Sequence, residues 1–161
     1  MVAQDDLRQL VQSTRRISRA LDIESRRIDR EIGLTLPQLI VLQCLQDLGD
    51  ANSRSISRAA GMSPPSVVGI LDKLEAKGVI HRYRSTIDRR AVHTALTEKG
   101  AGLLAGAPQP LGENFAQRFR ALPAARRCAI LEALMQVADL ADETLAADHV
   151  ENGHGADEMI G

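Results

Sequence analysis

Val79-Ile80-His81-Arg82-Tyr83-Arg84-Ser85-Thr86-Ile87-Asp88-Arg89-Arg90-Ala91-Val92-His93-Thr94-Ala95-Leu96-Thr97-Glu98-Lys99-Gly100 is the stretch that decides the fold. Its two arms, Val79 to Arg84 and Ala91 to Leu96, alternate apolar and polar side chains and predict two short strands. The loop between them carries Asp88, Arg89 and Arg90 at its tip, and Thr97 stands where it would cap a following helix. Just upstream, Ser63 to Lys77 predicts a helix that opens Ser63-Pro64-Pro65-Ser66. Both prolines fall in its first turn, where backbone amides have no intrahelical partner. A capped helix followed by a basic hairpin predicts a winged helix-turn-helix. Such a module sets its helix in a DNA major groove and its hairpin tip in the neighbouring minor groove.

Upstream of this pair, the pattern is helical. Residues 5–32 repeat apolar side chains on one stripe (Leu7, Leu10, Val11, Thr14, Ile17, Leu21, Ile28, Ile32), with most of seven arginines off it, and Gly33 ends the run. Thr35-Leu36-Pro37-Gln38 reads as a capping box for a helix through Leu39, Leu42, Cys44, Leu45 and Leu48 to Gly49. Ser53 or Ser55 is expected to cap a short helix around Ile56 to Ala60. Only Gly61-Met62 then separates it from Ser63, the tight spacing of a helix-turn-helix. In the helix from Ser63, Val67, Ile70, Leu71 and Leu74 should face inward. Pro65, Ser66, Gly69, Asp72 and Lys73 should face outward, and Gly78 should end the helix.

Downstream, the helix from Thr97 should be interrupted at Gly106-Ala107-Pro108-Gln109-Pro110. After Pro123 a further helix is expected to about Ala147, with Leu131, Leu134, Met135, Ala138, Ala141 and Leu145 as its stripe. The fold class expected is mainly α with a small β-hairpin wing: a winged helix-turn-helix plus a helical dimerisation region built from the N- and C-terminal helices. The segments are 1–32 for the first dimerisation helix and 33–97 for the DNA-binding region. They continue with 98–147 for the C-terminal dimerisation helices and 148–161 for a polar tail expected to be disordered. The wide stripes on the first and last helices are expected to pack together against the same pair from a second subunit. A two-fold dimer would set two recognition helices on the order of 34 Å apart.

Composition narrows the function. The chain has 161 residues, 44% apolar but only 2% aromatic, so its core must be aliphatic. Single-stranded nucleic acid is disfavoured, because its bases need rings to stack on. The net charge of −1 hides an asymmetry. From Ser53 to Arg90 eight Lys and Arg face three acids, a balance of +5, whereas from Asp139 onward there are seven acids and no Lys or Arg. The winged-helix segment thus coincides with the electrostatic footprint of a phosphate binder. A winged helix that binds another protein instead of DNA is the alternative reading, and it has no need of that charge. Cys44 and Cys128 show no CxxC or Cys/His spacing and are expected as buried thiols. The start, Met-Val-Ala-Gln-Asp-Asp, lacks the form of a signal peptide and no apolar run approaches a membrane span. A cytoplasmic protein with no membrane partner is expected. No Gly-rich phosphate loop, nucleophile elbow or His/Glu metal motif argues for an enzyme. His81, His93, His149 and His154 are scattered, so no metal and no cofactor is expected.

Leu-Thr-x-x-Gln at 34–38, Leu-Asp-Lys-Leu-Glu-Ala-Lys-Gly-Val-Ile at 71–80, Asp-Arg-Arg-Ala at 88–91 and Leu-Thr-Glu-Lys-Gly at 96–100 together resemble the MarR family of bacterial transcriptional regulators. The resemblance covers roughly residues 5–147, and the order and spacing of the four motifs carry it. It implies a homodimeric winged-helix protein on a pseudo-palindromic operator, usually a repressor, often released by a small molecule. It also implies that Arg90 enters the minor groove with Asp88 holding its guanidinium; Arg89 could instead meet the phosphate backbone. The candidate DNA-contact residues are Ser63, Pro65, Ser66, Gly69, Lys73, Arg84, Asp88, Arg89 and Arg90. Where relatives commonly carry Thr-Arg or Ser-Arg, this chain has Val68-Gly69. Base reading then falls on Pro65, Ser66 and Val68, with Lys73 nearer a phosphate and Gly69 allowing close backbone approach. Effectors in the family are often aromatic carboxylates or phenols. Arg15, Arg16 and Arg19 are the candidate cations for such a small-molecule aromatic or carboxylate effector. The peroxide-sensing branch uses a cysteine near the start of the first helix. This chain has none before Cys44, which is expected to be protonated and inert.

Overall fold

A computed structural model describes residues 2–84 and 92–153, with side chains described for 4–84 and 92–143. The chain divides into two compact units, Met1–Glu113 and Asn114–Gly161. In the first, α1 (Val2–Ile32) runs to Gly33, whose φ of +68° lets the chain reverse where a side chain would be strained. Only the C-terminal third of α1 joins the core. Ile28 is fully buried, Leu21 and Ile32 pack partly against the core, and the Ser25 hydroxyl accepts the Leu36 amide at 3.3 Å. Further up, Leu7, Leu10, Val11 and Ile17 are exposed, so the sequence stripe exists but most of it faces solvent in this chain.

The core is the aliphatic cluster that the composition required. α2 (Leu36–Leu48) supplies Leu36, Leu39, Val41, Leu42 and Leu45. α3 (Ser53–Ala60) adds Ile56, and α4 (Pro64–Ala76) adds Val67, Leu71 and Leu74 at helical spacing. β1 (Ile80–Arg84) and β2 (Val92–Leu96) pair antiparallel with Arg82 opposite Thr94 and Tyr83 opposite His93. On the far side of β2, Ala51 exchanges both backbone hydrogen bonds with Thr94, at 3.1 and 2.8 Å, and adds a one-residue third strand that alternation could not reveal. α5 (Glu98–Ala105) follows, capped by Thr97, and the expected interruption after it is present.

The second unit holds most of α6 (Glu113–Arg120) and all of α7 (Ala124–Gly153). Phe115 and Phe119 stack on one face of α6 at 6.0 Å, and Arg127 reaches back to the carbonyls of Arg120 and Leu122 at its end. Three expectations differ from what is found. α3 is capped by Asn52, whose side chain accepts the Ser55 amide at 2.9 Å, so the helix starts at Ser53 and neither serine is the cap. Asn ranks with Ser as a cap, and here it lies one residue earlier. Cys128 is exposed and Cys44 only half-buried. α7 continues to Gly153, past the end expected near Ala147, because residues 146–151 contain no breaker. Residues 154–161, His154 among them, lie outside the described residues. No helix among the described residues is long and apolar enough to cross a membrane.

Candidate nucleic-acid interface

The turn between α3 and α4 is built from four residues. Gly61 takes φ +62° and closes α3 with its amide on the Arg58 and Ser57 carbonyls. The buried Ser57 hydroxyl donates to the Met62 carbonyl, and the Met62 amide returns to the Ser57 carbonyl at 3.1 Å. Ser63 then caps α4: its hydroxyl accepts the Ser66 amide at 3.4 Å and lies 2.8 Å from the Ser66 hydroxyl. Pro64 and Pro65 fill the positions that have no donor to satisfy. With Val67, Leu71 and Leu74 buried, the opposite face of α4 is left open. Pro65, Ser66, Val68, Gly69, Asp72 and Lys73 are all exposed on it, as the sequence pattern placed them. A Cβ at Gly69 would meet nothing within 4 Å, so neither φ nor crowding demands glycine there.

The hairpin meets this helix through charged side chains. Strand alternation puts Ile80 and Arg82 on the face of β1 toward α4. Arg82 pairs with Asp72 through one guanidinium nitrogen and approaches Glu75 at 3.1 Å through Nε. On the other face, the Tyr83 ring stacks between His81 at 5.8 Å and His93 at 5.9 Å, and its hydroxyl donates to the Asp50 carboxylate. That bond, with some burial and the negative charge of Asp50, raises the Tyr83 phenol above its ordinary pKa. At the far end of α4, Lys77 donates to the Gly33 carbonyl and to Gln38 Oε1 at 3.2 Å, while Gln38 also accepts the Thr35 amide. Lys99 Nζ donates to the Lys77 carbonyl at 2.7 Å. Thr97 joins the Gly78 carbonyl to the Gly100 amide, and a Cβ on Gly100 would sit 2.0 Å from the Val79 carbonyl oxygen. The Leu-Thr-x-x-Gln, Lys-Gly and Thr-Glu-Lys-Gly motifs are therefore fasteners around α4.

The basic balance of the segment divides into two kinds of side chain. Arg82 and Lys77 are engaged within the fold. Arg54, Arg58, Lys73 and Arg84 are exposed, and their side chains have no partner among the described residues. Asp88, Arg89 and Arg90 lie outside the described residues, as does Ala91. Arg15, Arg16 and Arg19 are exposed on α1, away from its buried third, likewise with no partner among the described residues. Sequence reasoning counted Arg82 as part of the phosphate footprint and missed its ion pairs. The available signal was the Asp72/Glu75 spacing of three, which presents both carboxylates to one neighbour. Among the described residues no group of His, Cys, Asp or Glu could hold a metal ion. Burial and Asp47 raise the Cys44 thiol above its usual pKa, which favours the inert thiol form.

Residues 34–92 match the model of the MarR family. The uncharacterized HTH-type transcriptional regulator YfiV of Bacillus subtilis (strain 168) is 33% identical over 76 residues, 47% of this chain and 48% of that protein. The HTH-type transcriptional regulator MhqR of the same organism is 36% identical over 72 residues, 45% of this chain and 50% of that protein. The chain thus spans about half the length of these curated relatives. Among solved structures, BpsR of Bordetella bronchiseptica, whose DNA binding is regulated by 6-hydroxynicotinic acid, superposes with a TM-score of 0.64 at 28% identity. That likeness covers 81% of this chain and 98% of that one.

Proposed function

We propose that this chain is a MarR-type, DNA-binding regulator of transcription and not an enzyme, a reading supported by the match of residues 34–92 to the MarR family model and by the likeness to BpsR. The observation that carries this reading is the open face of α4 beside free cations. Pro65, Ser66 and Val68 stand clear of the core while Lys73 and Arg84 have no partner among the described residues. In a major groove, the Ser66 hydroxyl and the Val68 methyls would meet base edges, Val68 against a thymine methyl. Lys73 and Arg84 would meet phosphates and fix the register. Asp88 and Arg90 are assigned to the minor groove, with Arg89 on the backbone, and Ser63 holds the first turn in place. Gly69 permits close approach of α4 to the duplex.

The regulator acts as a homodimer on a pseudo-palindromic operator, as a repressor, and is released by a small aromatic or carboxylate effector. Arg15, Arg16 and Arg19 are the cations proposed to meet the effector's charge. The regulation of BpsR by 6-hydroxynicotinic acid supports that class of ligand. Selection of bound fragments from the native genome, followed by footprinting, tests the reading. Two protected half-sites about one helical turn apart, on the order of 34 Å, are expected. Failure to enrich any duplex would overturn it.

A further inference from the structure

Asp72 and Glu75 stand on the helix that the DNA-binding reading lays against a polyanion, with side chains 61% and 45% exposed. Left alone, two carboxylates there would repel phosphates through a low-dielectric contact. Arg82 reaches both from β1 and is itself only 23% exposed. Its place on the strand face continuous with buried Ile80 commits it to α4 instead of to an outside partner. We propose that Arg82 is a positioning residue for DNA binding, masking the acids of α4 so that the helix presents Lys73 without opposing charge. The proposal rests on the DNA-binding reading. It makes Arg82 different in kind from Arg84, two residues along the same strand, whose side chain has no partner among the described residues.

A brace and a mask respond in opposite ways when the carboxylates are removed. Exposed ion pairs add little to folding, so Arg82→Ala should leave thermal unfolding nearly unchanged. Its affinity for a duplex fragment selected by the wild-type chain should fall about tenfold, a like-charge effect. Adding Asp72→Asn and Glu75→Gln to Arg82→Ala should restore affinity to within about threefold of wild type, because the repulsion has gone. Persistent weakness in that triple variant, or undiminished binding by Arg82→Ala, would overturn the masking role. Should Arg82→Ala fail to fold, Asp72→Asn/Glu75→Gln with Arg82 retained decides the matter. Binding should tighten several-fold if the acids are a liability, and weaker binding would overturn the proposal. A wild-type chain with no salt-sensitive affinity for any duplex would instead refute the DNA-binding reading beneath it.

Discussion

Two glycines of the winged-helix unit differ in what holds them. Gly100 lies where α5 starts against the Val79 carbonyl, and any side chain would collide with backbone. Gly100→Ala should therefore cost about 2 kcal/mol or more in chemical denaturation, an overpacking penalty with no flexible neighbour to relax it. Gly69 has open space and helical backbone, so Gly69→Ala should stabilise by about 0.5–1 kcal/mol in the same assay. A loss of DNA affinity in that variant would then report close approach of α4 to the duplex. Tyr83 is the single tyrosine of the chain, which makes its titration readable by ultraviolet absorbance. Its phenol pKa is raised by the bond to Asp50, so the folded state favours the protonated form. The associated stability is full below the unfolded tyrosine pKa of about 10 and is lost as pH rises through the higher folded value. Asp50→Asn should bring the absorbance midpoint back toward the ordinary value; an unchanged midpoint would refute the assignment.

At the scale of elements, the recognition helix is held at both ends and open along one side. Ser63 and Gly61 fix its start and Lys77 and Lys99 its finish, while Arg82 pairs with the acids on its flank. Ser66 is the open-face side chain with hydrogen-bonding capacity nearest the helix start. Ser66→Ala should change the ranking of duplexes in a selection experiment while leaving salt sensitivity intact. An identical ranking would remove Ser66 from base reading. The helices and hairpin arms were legible because each carries its own punctuation: Gly33, Gly49, Gly61 and Gly78 all take positive φ. The open face of α4 was legible from a period of 3.6 alone. Asn52 was missed because Asn52, Ser53 and Ser55 all compete for one cap, and local pattern does not rank them. The Ala51 bridge and the Arg82 ion pairs were missed for a different reason. The bridge joins residues far apart in sequence, and the spacing of Asp72 and Glu75 offers two carboxylates to one neighbour without naming Arg82 as that neighbour.

For the whole molecule, the question is what covers the apolar side chains that this chain leaves in solvent. Leu7, Leu10, Val11 and Ile17 are exposed on α1, and Leu131, Leu134, Met135 and Leu140 on α7. A second copy of the chain is the proposed cover, since a two-fold contact sets each stripe against a matching one. The chain weighs 17.5 kDa, and sedimentation should give twice that mass. Leu10→Asp with Leu134→Asp should shift it to the monomer, and a wild-type monomer would refute the dimer. DNA binding itself is tested most directly by measuring affinity for a selected duplex across a range of salt. The expected result is a steep fall, linear in the logarithms, whose slope drops by about one unit with each of Lys73→Ala and Arg84→Ala. An affinity indifferent to salt, or slopes untouched by both substitutions, would contradict the claim that these cations beside α4 engage a phosphate backbone.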